Sequence, residues 1–164
     1  MSVNFFGTEC TEPSKTDELF GICDDQDGEK AYSDTTDKNK WIAVVKNSKG
    51  LAASFTAIDH CIIILKEGTK DEESTCDGMI TFTDSLYQLK KQGTGGWVSK
   101  AIAQLENTIK LLIAHHDLKA FKYKKAFACN KKHPRFRSID NEQNKRLFVT
   151  YGFRLDVQAE IVIK

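Results

Sequence analysis

The stretch CDGMITFTDSLYQLKKQ, residues 76–92, reads as two short strands around a turn, with Asp77 near one end and Gln88-Leu89-Lys90 near the other. Thr83-Asp84-Ser85 supplies residue types that favour turns. A tight reversal there returns the start of the first strand beside the end of the second, so Asp77 comes close to Gln88 and Lys90. Because side chains alternate along a strand, Gln88 and Lys90 share one face while Leu89 points to the other, towards a core. A carboxylate so placed can hold Mg²⁺ through oxygen, the main-chain carbonyl of Leu89 can add a ligand, and a lysine ammonium can orient an attacking water or offset phosphate charge. Phosphodiester hydrolysis requires those parts. An Asp before Gly and a Lys at a strand end are also ordinary turn and surface residues, so spacing alone leaves both readings open. The amide of Gln88 stands where an acid would complete a metal site.

Upstream, KWIAVVKN (40–47) is a β-branched run, SKG (48–50) a turn, and ASFTAIDHCIIILKEG (53–68) a long apolar strand signal that ends in the charged break TKDEES (69–74). With the hairpin, this predicts four strands in succession. Downstream the period changes. In WVSKAIAQLENTIKLLIAHH (97–116), Val98, Ala101, Ile102, Leu105, Ile109, Leu112 and Ile113 recur at three- and four-residue steps, the spacing of an amphipathic helix with one buried face. YKKAFACN (123–130) reads as a strand, SIDNEQNKRLFVTYG (138–152) as a shorter helix opened by Ser138 and stopped near Gly152, and FRLDVQAEIVI (153–163) as a last strand. The expected fold is α/β in the α+β sense, a central mixed sheet flanked by helices.

A chain of 164 residues with 40% hydrophobic residues can bury one substantial core. The N-terminus lacks a basic region followed by a long apolar run, and CIIILKEG is too short to cross a bilayer, so the expectation is a cytoplasmic protein with no membrane partner. The five cysteines, Cys10, Cys23, Cys61, Cys76 and Cys129, are odd in number and form no C-x-x-C pair, which suggests free or buried thiols. A net charge of +1 conceals an asymmetry: residues 1–37 hold ten acids and two bases, the rest 22 bases and 13 acids. Residues 1–37 read as an acidic, mobile or loosely packed lead-in, and 38–164 as the functional domain. DDQDGEKAYSD (24–34) does not place its acids and glycine at the positions of a calcium-binding EF-hand loop.

Asp77, ten intervening residues, then Gln88-Leu89-Lys90 at the end of a hairpin followed by an amphipathic helix resembles the PD-(D/E)XK nuclease superfamily. The resemblance covers roughly Trp41 to the C-terminus. It implies a restriction-endonuclease-like fold, Mg²⁺ or Mn²⁺ as cofactor, and hydrolysis of nucleic-acid phosphodiesters; DNA is expected ahead of RNA, and both stay open. It carries over Asp77 as metal-binding aspartate, Gln88 as the position of the second acid, and Lys90 as catalytic lysine. Some exonuclease-like branches have a glutamine on the helix after the motif, matched here by Gln104. No residue clearly matches the further acid that the superfamily often carries on an early helix; Asp59, on the preceding predicted strand, is the accessory candidate, and Glu18 lies in a segment of uncertain structure. Restriction or antiviral defence, with an oligomer or a targeting protein as partner, follows by analogy with family usage.

Three explanations of Gln88 stay open. It is a deliberate inactivating replacement of a glutamate, a native residue of a Q-X-K branch, or the mark of a catalytically silent nuclease-fold domain that binds nucleic acid without cutting. Residues 119–137, KAFKYKKAFACNKKHPRFR, hold eight basic residues and no acid, interleaved with aromatics. Lys124, Lys131, Lys132, Arg135 and Arg137 are the candidate phosphate contacts. GTGGWVSK (93–100) lacks the Walker spacing of a phosphate-binding loop and reads as a turn into the helix. His115-His116 at the helix end reads as capping or exposed, and His60 beside Asp59 as packed or surface.

Overall fold

The computed structural model describes residues 3–25, 28–91, 97–129 and 141–163. In chain order the elements are β1 (Leu19–Cys23), β2 (Tyr32–Asp34), β3 (Trp41–Lys46), β4 (Ala53–Ala57), β5 (Gly78–Phe82), β6 (Ser85–Lys91), α1 (Trp97–His115), β7 (Tyr123–Cys129), α2 (Asn141–Tyr151), β8 (Arg154–Val157) and β9 (Glu160–Val162). The hairpin forms as expected, with Phe82 opposite Ser85 and Thr83-Asp84 between them. Thr83 takes φ 46, a left-handed conformation costly for a β-branched residue but suited to a short turn between twisted strands.

The protein is a mixed α+β fold with two sheets rather than the single central sheet expected. One has the order β4-β5-β6-β7-β8, and the other β2-β1-β3-β9. In the larger sheet β4, β5 and β6 run as an antiparallel meander, then β7 lies parallel to β6 and β8 parallel to β7. Alternation sorts the side chains of this sheet to two cores. Ile80, Phe82, Tyr87, Leu89 and Phe127 face the smaller sheet and meet Phe20, Ile22, Val45 and Ile161 there. On the opposite face, Met79, Leu86, Ala126 and Ala128 pack with Ala101, Ile102, Leu105, Ile109 and Leu112 of α1 and Leu147 of α2. A fully buried Leu, Ile or Phe contributes about 1.5–3 kcal/mol, so both cores matter to stability.

Several expectations are corrected. Ile113 is exposed, so the buried face of α1 is narrower than its apolar pattern. Only Ala53–Ala57 of the long apolar run is a strand: Cys61 and Ile62 donate main-chain bonds back to Ile58 in a turn, His60 has φ 63, and Ile63 and Leu65 face solvent. The final run 153–163 is split between the sheets, because Gln158-Ala159 carries the chain from β8 across to β9. The acidic lead-in is not loosely packed where it is described. It supplies β1, which pairs with both β2 and β3, and it buries Phe5, Phe20, Ile22 and Cys23. Residues 10–15 cover the β4 edge through bonds from Glu12 N–H to the Phe55 carbonyl and from Lys15 N–H to the Ala53 carbonyl. Cys10 and Cys61 form a disulfide, while Cys23, Cys76 and Cys129 are free and buried. Among the described residues no helix is long and apolar enough to cross a membrane. Gly152, with φ 78, ends α2; Ser138 and the turn at 93–96 lie outside the described residues.

Candidate functional site

The register of the hairpin builds the site. Met79 lies opposite Gln88 and Gly78 opposite Leu89, and the Asp77 N–H donates to the Leu89 carbonyl at 3.1 Å, which brings Asp77 level with Lys90. Gly78 is required beside it, since a Cβ there would sit 2.4 Å from the Phe55 ring and 2.7 Å from the Thr56 carbonyl. Asp77, Gln88 and Lys90 therefore share the face of the sheet that α1 covers, and Leu89 points to the opposite core. Gln88 and Lys90 belong to an interior strand, flanked by β5 and β7.

Lys90 Nζ donates to Asp77 Oδ1 at 3.1 Å, and the Lys91 main-chain N–H donates to Oδ2 at 2.6 Å. Asp77 is 1% exposed. Burial pushes its carboxyl above the ordinary value against the opposing pull of the Lys90 ammonium and the Lys91 N–H, and the Asp24 carboxylate pushes the same way as burial. Burial works against the Lys90 charge, but Asp77 outweighs it and, with Asp59, holds the ammonium above the ordinary lysine value. Gln88 is 0% exposed, and among the described residues neither its Oε1 nor its Nε2 has a hydrogen-bond partner. Buried amides are almost always paired, and exceptions mark strain, catalysis or an absent water or ion. Burial pushes the Cys76 thiol up to about 12 and raises that of Cys129 as well, so neither is an activated nucleophile.

The other candidates lie at different distances from this centre. Asp59 follows β4; its N–H donates to the Cys76 carbonyl and its carboxylate lies 3.4 Å from His60 Nε2. That bond to the residue before Asp77 places it at the site's margin. Gln104 Nε2 donates to Ser74 Oγ at 2.9 Å, on the approach to Asp77. Lys124 pairs in register with Leu86, whereas Lys90 pairs with Ala128, so Lys124 lies about 13 Å further along the sheet. It donates to the Phe121 carbonyl. Lys131, Lys132, Arg135 and Arg137 lie outside the described residues. Asp24 was not singled out from sequence; its signal was a pair of acids directly after the apolar run LFGIC, obscured by the acids around it.

Among the described residues no group of three or more His, Cys, Asp or Glu gathers as a metal cage. The oxygens at hand are one carboxylate, the unpartnered Gln88 Oε1 and the Leu89 carbonyl. That set fits a hard cation such as Mg²⁺, which is often held by one or two carboxylates and completes its shell with water and substrate oxygens. No protein-family model, curated protein or solved structure matches the chain.

Proposed function

We propose that this protein is a metal-dependent nuclease of the restriction-endonuclease-like type, hydrolysing phosphodiesters of nucleic acid, with DNA the favoured substrate and Gln88 a working part of the site. The observation that carries the reading is the buried Gln88 amide with both polar atoms unpartnered among the described residues, on the face shared by Asp77 and Lys90. Its oxygen calls for a cation or donor and its nitrogen for an acceptor. A cation with a phosphate oxygen satisfies both. The meander β4-β5-β6, then α1, then β7 parallel to β6, supports the same family reading.

Asp77, Gln88 Oε1 and the Leu89 carbonyl would hold Mg²⁺ or Mn²⁺. The ion supplies Lewis-acid polarisation of a phosphoryl oxygen and an acidified water. Gln88 Nε2 donates to a non-bridging phosphate oxygen and so orients the phosphodiester. Lys90, charged by its contact with Asp77, offsets the negative charge that builds on phosphate and positions the attacking water.

A second reading has its own observation: the Asp77 carboxylate is enclosed and already satisfied by Lys90 and Lys91, as in a silent domain that binds without cutting. Cleavage of single- and double-stranded DNA and RNA with Mg²⁺ or Mn²⁺, against a chelator control, separates the two. The nuclease reading expects cleavage that Asp77→Asn and Lys90→Ala each abolish. No cleavage of any substrate, by this protein or by Gln88→Glu, together with unchanged spectra near Asp77 on metal addition, would establish the silent domain.

A further inference from the structure

We propose that Thr108, with Gln104 and Asn107, forms a clamp by which α1 positions Asp77, which makes Thr108 a positioning residue of the site. The three side chains lie on one stripe of α1 and all bind residues 73–76, the segment that runs into the aspartate. Gln104 Nε2 donates to Ser74 Oγ at 2.9 Å, and Asn107 Nδ2 donates to the Ser74 carbonyl at 2.7 Å and to Glu73 Oε2 at 3.0 Å. Thr108 is fully buried. Its hydroxyl donates to the Gln104 carbonyl at 2.9 Å, which commits its proton and leaves a lone pair for the Cys76 N–H, received at 2.8 Å. The Cys76 carbonyl accepts from Asp59 N–H and the Asp77 carbonyl from Ile58 N–H. The link between Cys76 and Asp77 is thus held by Ile58 and Asp59, directly after β4, on one side and by α1 on the other. An orienting partner of this kind governs a metal ligand without touching the metal. Gln104, matched from sequence to a glutamine on the helix after the motif, acts here through Ser74.

The inference rests on the nuclease reading for its functional consequence but not for its geometry. Thr108→Val keeps the volume and removes both bonds; Thr108→Ser keeps both. The Lys91 amide proton, held by a 2.6 Å bond to Asp77 Oδ2, reports where the carboxylate sits without any metal present. In Thr108→Val that resonance moves upfield, hydrogen exchange at Cys76 accelerates by about tenfold through loss of its acceptor, and Mn²⁺ affinity falls by roughly 10–100-fold. Thr108→Ser restores all three. Ile109→Val, a cavity in the same helix, leaves the Lys91 resonance and Mn²⁺ affinity as they were. An unmoved Lys91 resonance in Thr108→Val, or an equal shift in Ile109→Val, overturns the clamp. Should the native protein bind no Mn²⁺, the nuclease reading falls, and the Lys91 and Cys76 signals still decide whether α1 positions Asp77.

Discussion

Gln88 sits on β6 under α1 with its amide fully buried and, among the described residues, unpartnered. Period-two alternation was enough to place it on the face shared by Lys90 and Asp77, because that inference needs only a hairpin and its turn. Its complete burial was not legible, since nothing in YQLKK shows that α1 lies over that face. An unpaired buried amide costs about 1–3 kcal/mol. Gln88→Met, similar in length and apolar, is therefore expected to raise the stability of the metal-free protein by about 1–3 kcal/mol in urea unfolding while abolishing metal binding. Gln88→Glu has the opposite profile. A carboxylate buried near Asp77 lowers stability in chelator by several kcal/mol, and Mg²⁺ or Mn²⁺ restores it by binding only the folded form. If Gln88→Met instead destabilises the protein, the amide has a partner in the folded state and does not await a cation or phosphate.

At the scale of elements, α1 was the clearest reading because three- and four-residue spacing over 19 residues is hard to produce otherwise. Its C-terminal histidines were less legible. His115 Nδ1 and His116 Nε2 accept the N–H groups of Val3 and Phe5 at 3.4 and 3.0 Å, and Phe6 packs edge-on against His116. An imidazole nitrogen accepts only when unprotonated, so the bond from Phe5 N–H selects the neutral His116 ring. Burial, joined by the neighbouring His115, depresses the His116 value below the ordinary 6.5. Asp117, Lys119 and Lys124 line the same surface. The sign follows from the depressed value: stability from His116 is fully present above the unfolded value near 6.5 and is lost as pH falls through the lower folded value. Protection from hydrogen exchange at residues 3–6, taken relative to the intrinsic rate at each pH, is expected to fall between pH 7 and pH 5, at about the ordinary histidine range and below. His116→Gln, which offers an acceptor that does not titrate, should flatten that dependence; an equally steep profile in the variant would assign the transition to another group.

On the scale of the whole molecule, the larger sheet was readable where strands follow one another in sequence, and the smaller sheet was not, because its partners come from distant segments. LFGIC is five residues long amid acids, and its partner β3 begins at Trp41, while β9 joins the same sheet from the far end of the chain. Composition suggested a loose lead-in because charge outweighed this short apolar run. The Cys10–Cys61 disulfide was likewise hidden, since pairing depends on proximity that spacing does not encode. The layered architecture makes a firm demand on the N-terminal residues. A chain beginning at Lys38 loses β1, hence the antiparallel partner of β3 from Leu19 opposite Lys46 to Cys23 opposite Trp41. It also loses Phe5, Phe20 and Ile22, each buried to within 1%. At about 1.5–3 kcal/mol for each such side chain, the loss approaches the typical 5–15 kcal/mol that holds a domain together. The truncated chain is therefore expected to show no cooperative urea transition and collapsed amide dispersion, whereas the full chain shows both. Replacing the exposed acids Asp17, Glu18 and Glu29 by amides leaves β1 in place and is expected to preserve cooperative unfolding, which separates lost charge from lost packing. A truncation from Lys38 that still unfolds cooperatively would mean that the smaller sheet is dispensable and that residues 1–37 do lie outside the folding unit.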